Sequence, residues 1–178
     1  MYTPRTGTGP LPEQVPVLRA AVLVTLGAIF QAILAPYLTF GLVAPNFAMI
    51  SVVVAASVLR ELQGVLLGFF GGILLDALGG GLFGAGALSG LVAGLVAVRS
   101  EVPGRGDGGR RMLVVATVLA VAAYDVIGLA ALNLAGGTGP PVGRFVLTGL
   151  VPDVLLNALL AYLSGRSLLR LLRTGGAR

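Results

Sequence analysis

The sequence predicts an all-α polytopic membrane protein with six transmembrane helices and both termini cytoplasmic. Three observations carry that expectation. The 178 residues are 56% hydrophobic and only 11% charged, with a mean hydropathy of +0.98, whereas soluble domains carry about a quarter charged residues. The apolar residues fall into six continuous stretches, each close to the ~20 residues that cross a hydrocarbon core. They do not alternate, which argues against a transmembrane β-barrel. Finally, the arginines lie on alternate sides of those stretches in a strongly unequal way.

Residues 1–15 form a tail, and Pro10, Pro12 and Pro16 make it an irregular lead-in to the first stretch. The first stretch, 16–38, has no small-residue cleavage site followed by a polar mature region, and reads as an uncleaved helix. The second and third, 42–59 and 62–78, flank Arg60, and the fourth spans 82–98. The segment "SEVPGRGDGGRR" (100–111) reads as a flexible cytoplasmic linker, part of a loop at 99–111, before the fifth stretch, 112–134. The sixth, 145–165, keeps its pattern beyond the membrane in "GRSLLRLLR" (165–173), the membrane domain ending at 172 and 173–178 forming a short tail. With both ends inside, eleven arginines lie on the cytoplasmic side against Arg144 alone outside, a positive-inside asymmetry that fixes the orientation. All of 16–172 is then one membrane domain.

Composition also excludes chemistry. There is no Cys for thiol or disulfide chemistry and no His, the commonest general base and zinc ligand. All 12 basic residues are Arg, and they are scattered rather than clustered on a soluble face, so no nucleic-acid partner is expected. No metal, cofactor or catalytic residue is read from the sequence.

Two patterns stand out within the spans. Gly64, Gly68 and Gly72 recur every fourth residue in the third stretch, and Gly86, Gly90 and Gly94 do so in the fourth. In lipid, small residues at this spacing let helix backbones approach closely, so the two ladders predict a tight hairpin. Three carboxylates, Asp76, Asp125 and Asp153, fall at similar depth in the outer half of the bilayer. Intramembrane carboxylates are costly and face the protein interior or a wet cavity. Asn46, Asn133 and Asn157 are candidate partners, Asn157 lying one turn beyond Asp153 on the same face. Asp125 and Asp153 together also raise an aspartyl dyad, in which paired acids activate water, though neither stands in the motif that intramembrane aspartyl peptidases carry. At the C-terminal end, Arg166, Arg170 and Arg173 share one helix face, expected to anchor in membrane lipid headgroups or to dock a cytoplasmic partner.

The stretch "APNFAMISVVV" (44–54) followed by "GVLLGFFGGILLDALGGGLFGAGALSGLVAGLVA" (64–97) resembles the rod shape-determining protein MreD family. The shared pattern is Pro-Asn at the head of the second helix, a glycine-rich third helix closing on Asp76, and a small-residue start to the fourth. "YDVIG" (124–128) resembles the aspartate-bearing centre of that family's fifth helix, and Asn157 in "VLLNALLAYL" matches an asparagine of its last; Asp153 falls outside the matched pattern. The resemblance implies a non-enzymatic component of the bacterial cell-elongation machinery in the inner (plasma) membrane. Its partners would be MreC, the peptidoglycan-synthesising pair of RodA and a class B penicillin-binding protein, and MreB filaments on the cytoplasmic side. It also implies a fold similar to the substrate-binding (S) subunits of energy-coupling-factor vitamin transporters. Membership of that transporter class is the alternative reading, and an intramembrane hydrolase the third.

Overall fold

The computed structural model describes residues 14–79, 83–100 and 107–173. Its helices are α1 (Gln14–Leu34), α2 (Phe47–Ala56), α3 (Glu61–Gly79), α4 (Ala85–Arg99), α5 (Asp107–Leu134), α6 (Val142–Phe145) and α7 (Val151–Arg173), with a π-helical turn at Val146–Leu150 joining α6 to α7. Among the described residues there is no β-strand. Phe40 and Val43 alone exchange backbone hydrogen bonds, of 2.9 and 3.1 Å, across a turn in which Gly41 takes a positive φ of 66°.

Four segments are long and apolar enough to cross a bilayer: Val17–Tyr37, Glu61–Gly79, Gly108–Leu134 and Val142–Leu172. The helices at Phe47–Ala56 and Ala85–Arg99 are shorter, about 15 and 22 Å at 1.5 Å per residue, against a core of ~30 Å. The second stretch is thus helical over only part of 42–59. Pro45 has no N–H to give and forces extended backbone before it, so the helix begins after Asn46, whose Oδ1 accepts from Met49 N at 3.0 Å. At the other end of the chain's loop 99–111, residues 107–111 form the first turn of α5 rather than linker. Residues 101–106 of that loop lie outside the described residues, as do 1–13, 80–82, 174–178 and the side chain of Arg173, while residues 14 and 15, expected in the tail, begin α1.

The distribution of side chains is that of a protein dissolved in lipid. Ala20, Ala28, Ala48, Ala55, Ala56, Ala93, Ala97, Ala116, Ala120 and Ala161 are buried, while Leu18, Phe30, Ile33, Phe70, Leu119, Leu147, Leu155 and Leu159 are exposed. Water would drive the large groups inward. Acyl chains exert no such force, and small residues win the helix contacts because they permit closer packing. α2 sits at the centre, with nine of its ten residues buried, and packs on α1, α3, α4, α5 and α7. Aromatic and apolar groups crowd the end of the bundle opposite most arginines: Tyr37, Phe40 and Phe83 there are 85%, 78% and 76% exposed, as in an interfacial belt.

Candidate functional site

The glycine ladders of α3 and α4 meet member for member in antiparallel order. A Cβ on Gly68 would collide with the Gly90 carbonyl, and one on Gly72 with the Gly86 carbonyl. One on Gly94 would lie 2.6 Å from the Gly64 carbonyl oxygen. The backbones are therefore in contact, and no larger residue fits at these positions. At the arginine-bearing end the hairpin is closed by an exposed ion pair, Arg99 to Glu61 at 3.2 Å, which contributes little in water.

Asp76 closes the other end. Its Oδ2 accepts from Gly84 N at 2.8 Å and Ala87 N at 3.1 Å, and its Oδ1 accepts from Gly86 N at 2.8 Å. These are N–H groups that a helix N-terminus leaves without intrahelical partners, and a carboxylate there also meets the positive end of the helix dipole. Gly84 at the cap position has φ +102°, which a side chain would strain. The carboxylate is thus a cap supplied in trans by the neighbouring helix, and its oxygens are already engaged. Beside it, Phe69, Ile73, Phe83, Leu88, Ile127 and Ala131 line an open apolar groove of about 430 Å³ between α3, α4 and α5.

A second polar cluster clasps the irregular chain before α2 onto α7. Asp153 Oδ1 accepts from Ala44 N at 2.6 Å. Asn157 Oδ1 accepts from Asn46 N at 2.6 Å, while its Nδ2 donates to Ala44 O, Asp153 O and Asp153 Oδ2 at 3.1, 2.9 and 3.1 Å. Asn46, Asp153 and Asn157 are all buried. The π turn and Pro152 immediately precede Asp153; a π turn re-phases a helix and relieves the clash that proline makes with the preceding turn. In the hydrocarbon region every backbone group needs a protein partner, and Ala44 and Asn46 receive theirs here.

Asp125 differs from the other two acids. Its Oδ2 is buried and accepts no hydrogen bond among the described residues. Tyr124 stands within electrostatic range of Asp76, Asp125 and Asp153, and Asp125 within range of Asp153. Asn133 does not join them; it is exposed and donates to Leu129 O at 2.8 Å. Arg166 and Arg170 are exposed on α7. Among the described residues no group of three His, Cys, Asp or Glu side chains is placed to hold a metal ion.

Comparison of the chain with protein-family models, curated proteins and solved structures finds no match.

Proposed function

We propose that the chain is a non-enzymatic scaffold of the bacterial cell-elongation complex, related to MreD. In this reading six segments cross the inner membrane with both termini inside, α2 and α4 being the short crossings. It binds MreC and through it works with RodA and a class B penicillin-binding protein, with MreB filaments on the inner side. The observation that carries the reading is the α3–α4 hairpin. The residues that give the resemblance its sharpest stretch are those that form a backbone-to-backbone contact sealed by Asp76. An acid consumed as a helix cap suits a rigid docking platform better than proton-transfer catalysis. Asp153, likewise, accepts from Ala44 N and Asn157, a structural task that favours the scaffold over a water-activating dyad with Asp125.

The groove lined by Phe69, Ile73, Phe83 and Ile127 offers the single transmembrane helix of MreC an apolar seat next to the hairpin. Membrane co-purification with tagged MreC from the same genome tests the proposal, with rod-shape complementation of an MreD-depleted host as the functional measurement. The complex should form, and Ala131→Trp should break it by filling the groove while the protein still accumulates. Recovery instead of an ATPase module together with a tightly bound vitamin would replace this reading by the transporter subunit.

A further inference from the structure

One turn into α5, Arg110 lays its guanidinium over the Tyr162 ring, 3.1 Å from the guanidinium carbon to the ring centroid. Its Nε and Nη2 also donate to the Tyr162 carbonyl oxygen, at 3.0 and 2.6 Å. Stacking fixes the plane and the carbonyl fixes the rotation, so this arginine is preorganised rather than a loose surface charge. Among the described residues, both Nη1 hydrogens and one on Nη2 remain for another acceptor. Tyr162, Arg166 and Arg170 follow at four-residue intervals and form one stripe on α7. Arg166 and Arg170 are exposed along it, and Arg111 is exposed beside Arg110. Leucines border the stripe: Leu159, Leu163 and Leu171 are 54%, 62% and 67% exposed.

We propose that Arg110, held by Tyr162, and the Arg166–Arg170 stripe form a seat for the phosphate headgroup of an anionic phospholipid. The acyl chains run along Leu163 and Leu159. A fixed guanidinium fork matches phosphate geometry. The bordering leucines select a lipid over free phosphate, because that much exposed apolar surface has to meet acyl chains. The proposal rests on the membrane character of the chain and is independent of the elongation reading.

The test uses the full chain in phosphatidylcholine vesicles carrying spin-labelled phosphatidylglycerol or spin-labelled phosphatidylcholine. The wild type should retain the anionic probe in its immobilised fraction in clear preference to the zwitterionic one. Arg110→Gln should lower that preference by more than the about fivefold that one diffuse charge at an anionic surface is worth. Arg110→Lys keeps the charge but should still lower it severalfold, since an ammonium cannot stack and fork, and Arg144→Gln at the opposite end should leave it unchanged. Should Arg110→Gln fail to fold, Arg166→Gln with Arg170→Gln on the exposed stripe gives the same reading, and inorganic phosphate is added as competitor to the wild type. Equal retention of both probes by the wild type would overturn the proposal. So would full preference in Arg110→Lys, which means diffuse charge, or displacement of the probe by inorganic phosphate, which means an anion site without lipid.

Discussion

Replacing Asp76 probes the hairpin most directly, because the structure fixes what each substitution removes. Leucine keeps bulk but strands three donors, Gly84 N, Gly86 N and Ala87 N. At about 1–3 kcal/mol for each unsatisfied donor the total is roughly 3–9 kcal/mol, and the partial burial of Asp76 favours the lower half of that range. Asparagine is a subtler change. Its single carbonyl oxygen can take the Oδ2 position and keep Gly84 N and Ala87 N, but its NH2 then faces Gly86 N, donor against donor. One charge-assisted bond is lost, about 1.5–3 kcal/mol. The predicted order of stability is therefore Asp, then Asn, then Leu. Reversible unfolding of the purified protein in mixed micelles measures it, with membrane accumulation as the readout in cells. A Leu variant within about 1 kcal/mol of wild type would refute the cap, because no other acceptor would then be needed at the head of α4.

Four further outcomes are expected. Gly72→Ala forces a methyl into the Gly86 backbone and should cost at least the 1–3 kcal/mol of an overpacked core, whereas Gly128→Ala, with nothing within 4 Å, should be neutral or slightly stabilising in the same unfolding assay. Asn157→Leu leaves Asn46 N and Ala44 O without their side-chain partner and should destabilise by roughly 2–6 kcal/mol; loosening of residues 38–46 in hydrogen exchange reports it. Single cysteines at Thr39 and Gly137 should label with an impermeant thiol reagent from outside intact cells and one at Gly106 should not, outside labelling at 106 overturning the six-span arrangement with both termini inside. Asp125→Asn should leave rod-shape complementation intact at normal protein level; loss of shape at full abundance with MreC still bound would sink the scaffold reading.

The helical class was legible because it depends on composition, which a bilayer constrains more tightly than water does. The hairpin was legible because two ladders of period four on adjacent helices have few other ways to pack. Their pairing, Gly68 on Gly90 and Gly72 on Gly86, was not, since the register of a hairpin follows from the exact turn and cap. The length of α2 was readable in part: Pro45 and Asn46 are a start signal, and a start at 47 leaves less helix than a full crossing needs. The clasp of Ala44 by Asp153 joins residues 109 apart and depends on how α7 packs, which no local pattern encodes. A physical signal for it did exist. Extended backbone ahead of Pro45 within an apolar segment must find side-chain acceptors, and the intramembrane acids and amides, Asp153 and Asn157 among them, are the groups able to supply them. Arg110 on Tyr162 left no such signal, because either residue alone is ordinary at a membrane interface.

Both polar clusters follow from one constraint. Each lies where the chain stops being helical inside an apolar bundle, before α2 and before α4, and each is built from side chains of a long neighbouring helix. A carboxylate inside a membrane is tolerated when it meets several donors at once, and backbone N–H groups at a helix start are fixed donors that cannot turn away. Asp76 has three of them, and Asp153 has Ala44 N together with the Asn157 amide. The arrangement ties the short helices to the long ones by directional bonds in addition to alanine contacts, and losing the carboxylate strands every donor it holds. It also gives two of the three acids a structural task, Asp76 as the cap of α4 and Asp153 as the clasp of Ala44. Asp125 differs, because its Oδ2 accepts no hydrogen bond among the described residues. A scaffold and a hydrolase therefore differ in what they require of Asp125 far more than in what they require of Asp76 or Asp153.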